Sequence, residues 1–451
     1  MNMSGMSFNA LPPIDIPFRF FVTAIVFMMG LAFFVYFSGE PLWISRWHPA
    51  MLALTHGFTL GFITPIMMGA LLQMLPVVGG IGLKNVGNIG RICYPLHFIG
   101  TGLLMYGFAS KHAMQNDIKV LAITCLAISF SYYIFSVFRV LLQYFSQKLT
   151  KNIFSQNPTI VTIAYSMLAL LLTVVLGLLL QVQNINLNLN LNFDKSFTNL
   201  HALLGGIGWM SLLILAISLQ IIPMFHVAPS FPKFSARLIP VFILISLIIM
   251  LVIPRLISFL LNALLLSLLL YNFVLLKVIN QRKRKIPDTS INSWRLAVFA
   301  LVIIVLFHYF PEQWLPKIVA TKKSLLLSAA FIHFYLMSII LGMLIKILPF
   351  LSYTHLQQRC LCNFDAMKFL PNMHDLLNRK SSALLFYCHF FSGGSLIITV
   401  VMPQFYWLFA IFLFVEFLLF FAVMLRTIRV YRQSSLKIRK VEISPVNINN
   451  V

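Results

Sequence analysis

Three histidines stand inside apolar runs long enough to cross a bilayer: His56, His201 and His333. Each run closes on the same pattern of a small residue, a Gln or Lys, and a proline: Gly69/Gln73/Pro76, Ala216/Gln220/Pro223 and Gly342/Lys346/Pro349. An imidazole held in hydrocarbon either hydrogen-bonds a neighbouring helix or ligates a metal. Two neutral imidazoles on facing helices can supply both axial ligands of a haem iron and leave no open coordination position. At about 100° per residue, measured back from the shared proline, His56 and His333 point within roughly 40° of each other. His201 points away from both. The expectation is one haem b per chain, held by His56 and His333, with metal binding by His201 and the presence of copper left open. Gly57, Gly61 and Gly69 would let a flat macrocycle approach, or serve close helix packing alone.

Gln73 and Gln220 lie near the ends of their runs, where hydrogen bonds to neighbouring helices or interfacial water suffice. Lys346 holds the equivalent place and can snorkel to the surface. A polar pathway through these three is the alternative. No catalytic residue is assigned. His48, His112, His226, His355 and His374 fall at run ends or in loops, and His308 lies in a short run. His97 and His389 lie within runs, where hydrogen bonding to a neighbouring helix is the simpler reading. Glu416 is the one clear intramembrane carboxylate, which argues against ion-coupled transport.

The elements that carry these residues follow from composition. The 451 residues are 60% hydrophobic and 10% charged, with a mean hydropathy of +0.92. Lipid accepts that balance and a water-soluble core does not. A closed barrel is excluded, because its segments are short and alternate in polarity. Apolar runs near 18–38, 50–75, 92–110, 118–143, 159–182, 199–225, 236–253, 255–277, 295–310, 324–349, 382–402 and 405–425 predict about twelve transmembrane helices. Only Pro254-Arg255 separates the seventh from the eighth, and the second is expected to stop at Pro76. The recurring histidine, Gln/Lys and proline make these an all-α membrane domain of three pseudo-repeats of four, near 15–145, 158–278 and 294–427, with a basic tail over 428–451.

Most of the 33 basic residues fall on one side of this arrangement, with clusters at Arg282-Lys283-Arg284-Lys285, at Arg379-Lys380 and along Arg426 to Lys440. By the positive-inside rule both termini are cytoplasmic. The net charge of +23 then reports orientation and anionic lipid, with no nucleic-acid partner expected. Five cysteines form no disulfide or zinc framework, and Cys360/Cys362 is a lone C-x-C. The Asn/Leu alternation over 184–193 is low complexity.

Twelve runs in three fours, with histidines opening the second, sixth and tenth, resemble subunit I of the haem-copper oxidase superfamily. That resemblance implies a low-spin haem clamped by His56 and His333. The family's tenth span carries a histidine pair, where this chain reads His333-Phe334-Tyr335; its seventh carries a double histidine, and SARLIPVFILISL has none. A complete dinuclear oxygen- or nitric-oxide-reducing centre is therefore not expected. The stretches LTHGFTLGFITPIMMGALLQMLPVVGG and KILPFLSYTHL are also similar to bacterial subunit I-like membrane proteins of unassigned function. PPIDIPFRFF and Trp47-His48 give a fainter likeness to the haem- and copper-containing membrane proteins of nitric oxide stress.

The leading expectation is a bacterial inner-membrane haem protein acting in electron transfer or in haem and nitric oxide handling, with redox or oxidase-type partner subunits. A non-catalytic accessory or assembly subunit is the alternative, and a transporter the third.

Overall fold

The computed structural model describes residues 12–79, 82–83, 85–110, 113–147, 156–185, 193–361 and 364–443. These are mostly helical with no strand among them, as hydrocarbon requires of a backbone that must satisfy its own hydrogen bonds. Twelve helices are long and apolar enough to cross a membrane, and are numbered here as spans 1–12: Asp15–Ser38, Pro49–Val77, Val86–Ala109, Gln115–Ser146, Pro158–Ile185, Lys195–His226, Lys233–Val252, Pro254–Asn280, Thr289–Tyr309, Lys323–Cys360, Arg379–Val401 and Pro403–Val441. His112, Cys362 and most of the 184–193 run lie outside the described residues.

Helix starts are fixed by side-chain caps at three spans. Asp194, Asp288 and Asn378 accept hydrogen bonds from the backbone N–H groups of Ser196, Ser290 and Ser381, opening spans 6, 9 and 11. Spans 7 and 8 are divided by a tight reversal at Ile253-Pro254 (Ile253 φ −129°, ψ 77°). The break between spans 11 and 12 at Met402-Pro403 has nearly the same backbone (φ −121°, ψ 85°).

The packing separates an outer ring from an inner set. Spans 1, 3, 4, 5, 7, 8, 9, 11 and 12 pack each on the next, and span 12 closes against span 1. Spans 2, 6 and 10 fill the middle. Their most apolar stretches are 89%, 72% and 83% buried, against 33–56% for the other nine. The ring turns large apolar side chains such as Phe37, Phe135, Val252, Phe259 and Leu306 outward, as contact with lipid acyl chains requires.

The central helices differ from the sequence expectation in two ways. They do not stop at their prolines. Pro76, Pro223 and Pro349 all sit inside helices, and span 10 runs on to Cys360. Proline is tolerated in such helices because neighbours re-satisfy the freed backbone. They are also not uniformly α-helical. Thr59–Ile63, Leu204–Ser211 and Phe331–Met337 are π-helical, as is Ile89–Cys93 in span 3. Side chains take up backbone carbonyls at these wide turns: His97 donates Nε2–H to Leu60 O at 2.7 Å, Ser211 bonds Gly206 O at 2.8 Å, and Ser129 bonds Cys93 O at 2.9 Å. A π turn advances less around the axis per residue, so directions counted at 100° per residue fail across it.

Candidate metal centre

His333 lies within the π turn of span 10 and is fully buried. Its ring stacks on that of His389 in span 11, with centroids 4.4 Å apart and planes 14° off parallel. Gly393, one turn along span 11, makes this approach possible: a Cβ there would come within 2.8 Å of the His333 ring. Span 12 adds Glu416, 1% exposed, whose Oε1 accepts from His389 Nδ1 at 2.8 Å. One ligand-type atom from each of His333, His389 and Glu416 lies within 4.8 Å of the others.

The hydrogen bonds fix the tautomers. A carboxylate oxygen accepts, so His389 carries its proton on Nδ1, and its Nε2 accepts from the Ser338 hydroxyl at 2.8 Å. A carbonyl also only accepts, so the 3.3 Å contact with His389 O puts the His333 proton on Nε2. Two acceptors are then left over. His333 Nδ1 and Glu416 Oε2 are buried and have no hydrogen-bond partner. A cavity with room for about one water or ion borders His389 and Glu416, lined also by Ser293, Leu341 and Phe420. An ionised carboxylate in such surroundings is costly unless a cation or several donors compensate it. The cavity does not reach His333, so a transition-metal ion there would meet the Glu416 carboxylate first, with a ligand atom of His333 within 4.8 Å of those of His389 and Glu416. Imidazole nitrogen with one carboxylate oxygen is a donor set suited to zinc, copper or iron.

His56 and His201 make a separate pair. Their rings lie 6.3 Å apart at 25°, and Phe108 of span 3 stacks on His56 at 5.4 Å. The pair joins span 2 to span 6, so His201 faces His56 instead of pointing away from it. The π turns that follow both histidines break the even rotation from which the opposite direction was counted.

His56 and His333 therefore have different imidazole neighbours. Phe409 of span 12 lies against His333 (6.4 Å) and against Phe58 of span 2 (6.5 Å), and Phe417 against Phe62 (5.1 Å). These aromatic rings fill the region between spans 2 and 10 beside His333. As packed, the two histidines do not fit a haem shared between them.

The three polar residues near the ends of the central helices are dispersed in role. Gln73 is buried and donates to Pro12 O at 3.3 Å. Gln220 is half-buried with no side-chain hydrogen bond among the described residues. Lys346 is ion-paired to Asp288 Oδ2 at 2.6 Å, an oxygen that His226 Nδ1 also approaches at 3.6 Å. No hydrogen bond or ion pair links them to one another among the described residues.

Sequence reasoning singled out His333 but not its partners. In the sequence Glu416 is the one clear carboxylate in a span and His389 a histidine within one. Two such groups on successive helices were the available signal. Neither a known protein family nor any curated protein matches this chain.

Proposed function

We propose that this protein is a membrane metalloprotein that holds one transition-metal ion at His333, His389 and Glu416. The observation that carries this reading is the pair of buried, unpartnered acceptors, His333 Nδ1 and Glu416 Oε2, beside a histidine whose tautomer is already set by the same carboxylate. Carboxylate-to-imidazole bonding of this kind orients metal-ligating histidines and raises their basicity. His333 and His389 supply nitrogen, Glu416 supplies charge and fixes the His389 tautomer, and Phe409 and Phe420 keep bulk water away. To ligate the same ion as Glu416, His389 would use Nδ1, its proton moving to Nε2 with the Ser338 hydroxyl as acceptor, and the three protein ligands would leave a coordination position for a small ligand.

The setting we infer is a bacterial inner membrane, with both termini cytoplasmic and twelve spans in three repeats of four. The asymmetry of basic residues supports the orientation. The repeat is supported by spans 2, 6 and 10 all being central and all π-helical beside their histidines. The matching reversals at Ile253-Pro254 and Met402-Pro403, before spans 8 and 12, support it further.

The test is elemental analysis of protein purified from cells grown with added zinc, copper and iron, together with a visible spectrum and a pyridine haemochrome assay. About one non-haem metal ion per chain, lost in His333→Ala and His389→Ala, is expected. A haem absorption band lost in both His56→Ala and His333→Ala would replace this reading with a bis-histidine cytochrome. A folded protein with neither would favour an accessory subunit.

A further inference from the structure

We propose that His56 and His201 form a second metal site, which takes a soft monovalent cation, Cu(I), between two neutral imidazoles. The site shares no residue with the His333 centre and does not rest on it.

Both rings are presented in the same way. His56 Nδ1 bonds Leu52 O at 2.8 Å, and His201 Nδ1 bonds Thr173 O at 3.1 Å. Each carbonyl can only accept, so each Nδ1 carries the ring proton and each Nε2 is a bare acceptor. Neither Nε2 has a hydrogen-bond partner among the described residues. A histidine tied to a backbone carbonyl through one nitrogen, with the other free, is the arrangement that metal-ligating histidines almost always show. Here it occurs twice at one helix interface, on rings 6.3 Å apart and 25° from parallel. Two metal–nitrogen bonds of about 2 Å plus the half-widths of two imidazoles span about 6 Å, which matches that separation.

The surroundings hold the rings in place. Phe108 covers a face of His56. The His201 ring lies over Gly177 of span 5, where a Cβ would come within 2.7 Å of His201 Cε1. Gly57, next to His56, admits Leu31 and Met105 at distances that would crowd a Cβ, and so brings span 3 and its Phe108 close.

Charge selects the ion. Both ligands are neutral, and no carboxylate contacts either ring among the described residues. Where spans 2 and 6 begin, Arg46 and Lys195 both lie against the Trp47 ring, at 4.3 and 5.4 Å, and the one carboxylate there, Asp194, is exposed and taken up by Ser196. A divalent ion would bring two uncompensated charges into a half-buried apolar site. A monovalent one brings half that, and two-coordinate binding by imidazole suits Cu(I) among the metals imidazole binds.

Anaerobic titration of the full chain in detergent with Cu(I), against a chromogenic Cu(I) chelator, tests the proposal. One tight site is expected, weakened at least tenfold in His56→Gln and in His201→Gln and reduced in Gly177→Ala. His308→Gln, outside the site, should bind like the unaltered protein, and metal held at His333, His389 and Glu416 should persist in both His56 and His201 variants. A tenfold excess of Zn(II) should leave the Cu(I) bound. Unchanged binding in both variants, or displacement by Zn(II), overturns the proposal. Should those variants fail to fold, X-ray absorption of the Cu(I)-loaded unaltered protein decides: two nitrogen ligands support the site, and sulfur ligation or four nitrogens rule it out.

Discussion

Replacing Glu416 by Gln removes one charge and leaves the heavy-atom shape almost unchanged, which makes its effect on stability informative in sign as well as size. Glu416 is 1% exposed; its Oε1 accepts from His389 Nδ1, and its Oε2 has no partner. The amide oxygen of Gln can keep the first bond. Its NH₂ group would then occupy the Oε2 position with two donors and no acceptor, a cost of about 1–3 kcal/mol. If a metal ion is bound, the loss of its anionic ligand weakens affinity by about 10–100-fold at least, a further ~1.4–2.8 kcal/mol. A variant of metal-loaded protein should therefore be less stable by about 2–6 kcal/mol. Without a metal the second cost disappears and Gln also relieves a carboxylate buried in hydrocarbon, so the loss becomes smaller. Thermal unfolding in detergent, before and after chelation, separates the two cases. The expected result is a large loss of stability in Glu416→Gln that shrinks once metal is stripped from both proteins. A variant as stable as the parent in metal-replete buffer, with metal content unchanged, refutes the reasoning.

Further outcomes follow from the packing. Gly342→Ala drives a Cβ into the Ser293 side chain, between spans 9 and 10; it should cost about 1–3 kcal/mol through overpacking. Gly30→Ala, with nothing within 4 Å, should be neutral or slightly stabilising by the same thermal assay. Asp288→Asn keeps an acceptor for the Ser290 N–H but loses the Lys346 ion pair. It should cost about 1 kcal/mol, and Asp288→Ala about 1 kcal/mol more because the helix cap goes too. Ser338→Ala removes the hydroxyl that would accept from His389 Nε2–H once Nδ1 ligates, so metal affinity measured by chelator competition should fall about tenfold; an unchanged affinity would remove His389 Nδ1 as a ligand.

Much of the architecture was legible in the sequence because each span is a run of about twenty apolar residues, a signal that needs no tertiary information. The His–Gln/Lys–Pro pattern picked out spans 2, 6 and 10, and these are the three helices at the centre. Two of their ends were misplaced, at Pro76 and Pro349, since proline ends helices in water more reliably than between packed helices. The direction of His201 was misjudged because the π turn at Leu204–Ser211 resets the rotation, and nothing in composition marks that turn in advance. The partners of His333 lay beyond reach for a different reason. His389 and Glu416 come from spans 11 and 12, and which outer helix packs on which inner one is a property of the closed ring that hydropathy does not carry.

The most direct measurement is a density map of the purified full-length protein from metal-supplemented cells, at a resolution that separates side chains. The account predicts a strong peak within bonding distance of His333, His389 and Glu416, with Phe409 still packed between His333 and Phe58. Stacked His333 and His389 rings with no peak beside them, or a macrocycle between spans 2 and 10, would contradict it.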